Sequence, residues 1–231
     1  MSRQARVQEF LDPSTEAMLA EHERLSNLYL NNSEMGERRT TLFFTVFSGG
    51  LMVMVAIAQL DLELMSIYSS AVVFLSGMLG MGILTFVRLI ERRTRAIEYL
   101  RAINRIHRYF VKQDPSLNSY YYWQACDDIP PFKGKEAALR GLIDIVAVIN
   151  SLILGGIVCL LGIIYLPDAN FRILSITIGI IVGGVTWWPQ FVYESKSLAR
   201  AEHSHKKFVL YPKTELDKVE ELSDEVTMGK L

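Results

Sequence analysis

Four stretches of this chain, residues 40–60, 65–87, 141–167 and 173–193, are apolar almost throughout, and their only formal charge is Asp144. Each is about twenty residues or longer, and a helix rising 1.5 Å per residue needs about twenty to cross the roughly 30 Å hydrocarbon core of a bilayer. A soluble domain of similar length spreads its apolar residues through short amphipathic segments instead. Half of the 231 residues are hydrophobic, and the mean hydropathy is +0.21. The expectation is an all-α membrane protein with four transmembrane helices in two hairpins and helical cytoplasmic extensions.

Charge placement predicts the orientation. Five of the 24 Lys and Arg residues precede the first apolar run, eleven lie between the second and third, and seven follow the fourth. The exception is Arg172; the connection near 59–64 holds Asp61 and Glu63 and no base. Basic residues stay on the cytoplasmic side, so both termini are expected in the cytoplasm, with the chain multi-pass in a plasma membrane of the bacterial inner-membrane type. The first forty residues are polar and charged, which predicts no cleaved signal peptide. The corresponding organisation is a helical arm at 1–39, a transmembrane hairpin at 40–90 and a basic helix with an aromatic loop at 91–140. A second hairpin follows at 141–193, then a cytoplasmic tail at 194–231.

Outside the apolar runs, Asp12-Pro13 supplies an N-cap and a first-turn proline for a helix. Met18, Leu25, Leu28 and Tyr29 then recur at helical spacing, and this helix runs on toward the first span with a break expected near Gly36. After the second span, Ile97, Leu100, Ile103, His107 and Phe110 share one helical face. Arg101, Arg105, Arg108 and Lys112 share another, and Asp114-Pro115 ends the helix, since proline lacks an amide donor. The second hairpin is expected to turn at Pro167-Asp168. Trp187-Trp188-Pro189 reads as the return to the membrane interface, where tryptophan is favoured. The tail beyond Pro212 has a short helical pattern in Leu216, Val219 and Leu222.

Four sets of residues carry functional readings, each set against a plainer one. Thr41, Thr45, Ser48 and Gln59, with Met52 among them, lie along one face of the first span. In lipid such a stripe seeks water or another helix, so it lines a pore in an oligomer or serves ordinary packing. Ser175, Gly179 and Gly183 recur every four residues in the fourth span, a small-residue face on which another helix approaches closely. The basic stripe Arg101, Arg105, Arg108 and Lys112 suits phosphate: anionic lipid head groups first, a protein partner, nucleotide or nucleic acid after. Tyr120 and Trp123, at the ends of an aromatic stretch, suit an interfacial anchor or a partner surface. Asp144 is expected near the start of its helix, where the dipole favours a carboxylate, and Asn150 is expected to bond a neighbouring helix.

Several chemistries are disfavoured. Cys126 and Cys159 fall in different compartments and form no CxxC, so neither a zinc site nor a dithiol centre is expected. No histidine lies in a span, which argues against a haem bundle, and no mid-span glutamate or lysine suggests proton-coupled export. His203 and His205 read as solvated. No cofactor or metal is expected, and no acid–base constellation suggests an enzyme. The leading expectation is a small homo-oligomeric channel or pore-forming subunit gated or recruited through its cytoplasmic helices. By architectural analogy alone, it would suit an effector in bacterial stress or phage defence. The rival is a non-conducting scaffold that docks a cytoplasmic protein.

Overall fold

The computed structural model describes residues 12–60, 63–121, 126–132, 140–166, 169–210 and 212–213. These are helical almost throughout, and no strand occurs among them. Four long helices carry the chain: α1 (Pro13–Ala58), α2 (Leu64–Gln113), α3 (Arg140–Tyr165) and α4 (Ala169–His205). All four contain windows long and apolar enough to cross a membrane. The helices have 46, 50, 26 and 37 residues. At 1.5 Å per residue α1 and α2 measure about 69 and 75 Å, more than twice the hydrocarbon thickness of a bilayer. Where they cross a bilayer, more than half of each lies outside its hydrocarbon.

Local chemistry explains the ends. Asp12 C=O accepts from Thr15 N–H (2.8 Å) and Glu16 N–H (3.1 Å), and Pro13 occupies the first helical position, where its missing donor costs nothing. No break occurs at Gly36: α1 is continuous there, and Thr40 Oγ1 donates to Gly36 C=O at 3.0 Å. A single glycine costs a helix only about 1 kcal/mol, too little to interrupt one supported on both sides. At the other end of α2, Asp114 caps a 3-10 turn, Pro115–Ser119, by accepting from Ser116 N–H at 3.0 Å. Hydrogen bonds from the Ser116 hydroxyl and amide hold the Asp114 carboxyl below its usual pKa. The Pro167-Asp168 turn lies outside the described residues.

The chain forms two compact units, one of residues 1–33, 94–134 and 201–231, the other of 34–93 and 135–200. The second unit contains the apolar core: Phe43, Met78, Phe86, Leu89, Ile90, Ile143, Val146, Ala147, Ile153 and Ile157. Its helices approach where side chains are missing. A methyl group on Gly50 would collide with the Phe74 ring, and one on Gly82 with Asn150 Oδ1. Between α3 and α4, methyls on Gly155 and Gly179 would fall 2.6 and 2.7 Å from the Gly179 and Gly155 carbonyl oxygens respectively, and a methyl on Gly162 would strike Ser175 Oγ. Lipid tails are as apolar as leucine, so close backbone approach takes over the cohesive role that burial has in water.

Several hydroxyls in this unit are paired locally. Thr45, Ser69, Ser76, Thr85, Ser151 and Thr186 each donate to the carbonyl four residues back, which satisfies a hydroxyl without a second helix. Pro189 lies inside α4 and cannot donate to its preceding turn. Beside it, Gln190 Nε2 reaches Thr186 C=O (3.3 Å), Ala147 C=O (3.2 Å) and Ser151 Oγ (3.1 Å). Asn150, 2 % exposed, donates to Gln190 Oε1 across a long 3.4 Å bond. These amides tie α4 to α3 next to the proline.

Candidate functional site

The first unit is built around charge. Its buried seam on α2 includes Ile97, Arg101, Asn104, Ile106 and Val111, so polar side chains occupy positions that an apolar periodicity would assign to the surface. Arg101 is 5 % exposed. Its Nη2 donates to both carboxylate oxygens of Glu202 at 3.1 Å, its Nε donates to Pro130 C=O at 3.0 Å, and its guanidinium lies 4.4 Å from the Phe132 ring centroid. Glu202 Oε2 also accepts from Phe132 N–H at 3.0 Å. A planar guanidinium is suited to this combination of fork, carbonyl and ring.

One helical turn later, Arg105 donates to Asp127 Oδ2 from Nε (3.2 Å) and Nη2 (3.1 Å), and from Nη2 to Phe208 C=O at 2.7 Å. The same Asp127 oxygen accepts from Leu210 N–H at 2.8 Å, and Asp128 accepts from Lys213 N–H at 3.1 Å. Asn104 Nδ2 donates to Ile129 C=O at 2.8 Å. His205 Nε2 stands 2.9 Å from Glu98 Oε1, its ring 5.3 Å from that of Phe132. Three segments distant in sequence, 98–105, 126–132 and 202–213, are thus tied by a polar network whose central groups are shielded from water. In such surroundings each hydrogen bond is stronger and each lost partner costs more.

A second cluster joins α1 to α2 in this unit. His22 Nε2 and His107 Nε2 are 3.2 Å apart, and the His107 ring stacks on Tyr121 at 4.4 Å and 17°. Burial, and then the neighbouring His22, push the His107 pKa down. Ser14 Oγ lies 2.9 Å from Tyr109 Oη, a further link between the same helices.

The residues singled out from sequence fall in three kinds of place. Thr41, Thr45 and Ser48 are exposed on the side of α1 away from Phe43, Gln59 is exposed in the turn just beyond the end of α1, and Thr45 bonds its own backbone. Ser175, Gly179 and Gly183 lie against Gly162, Gly155, Cys159 and Ser151 of α3, with Ser175 buried. The four bases expected as one outward stripe are divided. Arg101 and Arg105 turn into the network, Arg108 is half-buried and Lys112 is exposed. Tyr120 is exposed; Trp123 and the tail pattern of Leu216, Val219 and Leu222 lie outside the described residues.

Sequence reading missed the carboxylate half of the network, Glu98, Asp127 and Glu202, with His205 beside it, the separate His22–His107 pair, and Glu194 of the second unit. One signal was present. In the second unit Arg93 meets Glu194 at 2.7 Å, and the Arg101–Glu202 pair of the first unit has the same separation of 101 residues. An Arg and a Glu repeated eight residues on, in two helices, is a pairing pattern that hydropathy alone discards. Among the described residues no group of three His, Cys, Asp or Glu side chains is placed to hold a metal ion. No protein-family model, curated protein or solved structure matches this chain.

Proposed function

We propose that the protein is a four-span membrane subunit with both termini in the cytoplasm, which self-associates and forms a pore lined by α1. The observation that carries this reading is the coverage of α1. Only 6 % of its apolar window is buried within the single chain, against 33 % for α3, and the exposed part includes Thr41, Thr45 and Ser48. Thr45 already donates to its own backbone, while the exposed hydroxyls of Thr41 and Ser48 are drawn to another helix or to water. Copies of α1 around a central axis supply both. Trp187 and Trp188, 41 % and 64 % exposed, then lie at the cytoplasmic interface of the bilayer, and the polar network belongs to the cytoplasmic side.

The mass of the complex in mild detergent, corrected for bound detergent, tests the first step. A symmetric homo-oligomer is expected; a monomer overturns the pore, because one packed four-helix bundle has no aqueous lumen. Flux into liposomes tests the second: Thr45→Leu is expected to lower conductance severalfold, and unchanged flux removes Thr45 from the pathway. A second reading, a non-conducting scaffold that docks a cytoplasmic protein, draws on the first unit. Arg101 and Arg105 are already paired with Glu202 and Asp127, so a preformed body is available without a ligand. A co-purifying protein lost on charge reversal at Arg108 and Lys112, with no flux in any preparation, selects that reading.

A further inference from the structure

Two imidazole nitrogens at 3.2 Å share one proton: one ring donates and the other accepts through its lone pair. If both rings are protonated the bond is lost and two like charges face each other at contact. We propose that His22 and His107 form an acid-operated latch, closed when they share a proton and opened when both are protonated, which frees the 13–33 part of α1 from α2.

The surroundings do not offset the second charge. On α1 the positions one turn away are Met18, Leu19, Leu25 and Ser26; on α2 they are Ile103, Asn104, Phe110 and Val111. The third element against the pair contributes Tyr121, a neutral ring stacked on His107. The nearest carboxylates along α1 are Glu21 and Glu23. Glu21 is engaged by Arg24 through two 2.8 Å bonds, and Glu23 is exposed. On α2 the adjoining charges, Arg105 and Arg108, are both positive, and Asp127 is paired with Arg105. Leu25, one turn from His22, is buried, so opening the latch also uncovers an apolar contact.

The direction in pH follows from linkage. The His107 pKa is lowered in the folded state, so the unfolded or opened form takes up the proton first. The stabilisation is complete above the ordinary histidine pKa near 6.5 and is lost as pH falls from there toward the depressed folded value. His205 lies against Glu98 and Phe132 instead, at 2.9 Å and 5.3 Å. Opening is expected at the α1–α2 contact, while Arg101–Glu202 and Arg105–Phe208 C=O keep the 98–105 and 202–208 segments joined.

The test is hydrogen exchange of the full-length protein in nanodiscs at pH 7.5 and 5.5, corrected for intrinsic exchange rates. In the wild type, peptides within 13–33 are expected to lose protection at pH 5.5 by up to about tenfold, the ceiling set by a pH one unit below the ordinary histidine pKa, while 201–208 is unchanged. His22→Gln and His107→Gln each remove the second charge and are expected to abolish the difference between the two pH values. His203→Gln is expected to leave it intact. Equal protection at both pH values in the wild type overturns the proposal, as does an acid response that survives in both single variants. Loss of protection at pH 7.5 on adding EDTA also overturns it, because the rings would then be holding a metal ion.

Discussion

Removing the Glu202 charge is expected to open the first unit. Arg101 has a side chain 6 % exposed, and Glu202 one 28 % exposed, so the guanidinium is enclosed while its partner retains some contact with water. Deleting one member of a fully buried pair costs 3–5 kcal/mol; the partial exposure of Glu202 lowers the expectation for Glu202→Gln to about 2–3 kcal/mol. The amide oxygen of the new side chain still accepts from Phe132 N–H, so this variant isolates the charge. Glu202→Ala also removes that acceptor and is expected to cost about 1 kcal/mol more. Arg101→Met removes the charge that needs a partner, at the expense of the Pro130 bond and the Phe132 contact. The double variant Arg101→Met/Glu202→Gln should therefore be more stable than Glu202→Gln alone. Hydrogen exchange of peptides within 94–113 and 201–210 reads these differences, and the Glu202→Gln loss corresponds to roughly 30- to 150-fold in protection. Additive effects of the two single substitutions, within about 0.5 kcal/mol, would refute the argument that the pair acts as a unit.

Two further outcomes follow from the second unit. Gly179→Ala places a methyl 2.7 Å from Gly155 O and 2.9 Å from Cys159 Cβ, so α3 and α4 must separate by about half an ångström, at a cost of about 1–3 kcal/mol. Gly184→Ala meets nothing within 4 Å and is expected to be neutral or stabilising; thermal unfolding in detergent compares the two. Glu194→Gln leaves Arg93, with a side chain 2 % exposed, without its carboxylate, and about 3 kcal/mol of stability should be lost. Arg93→Met/Glu194→Leu is expected to recover most of it, since well-packed apolar residues replace a buried pair at little cost; the same thermal assay decides.

The helices were legible because their signals are local. Apolar runs, Asp12-Pro13 and Asp114-Pro115 each act within a few residues, and the structure starts α1 at Pro13 and ends α2 at Gln113. Asn150 was legible as a group in need of a partner, and Gln190 on α4 is that partner. Gly36 misled, because its intrinsic preference is outweighed by a helix continuous on both sides. The basic face of α2 misled for a different reason. Arg101 and Asn104 share the buried seam with Ile97, and charge counted along one helix says nothing about carboxylates arriving from elsewhere.

Length and apolarity by themselves determined that this chain has four helices able to cross a bilayer. Each residue in such a helix must suit the lipid or neighbour beside it, and that requirement is written residue by residue in the sequence. Tertiary structure decided which charges are buried and with what. Arg101 is paired with Glu202 across 101 residues, Asp127 holds the amide of Leu210, and His22 meets His107 across 85. A charge becomes tolerable inside a protein only when its partner arrives from another part of the chain, and no property of either residue alone records that meeting.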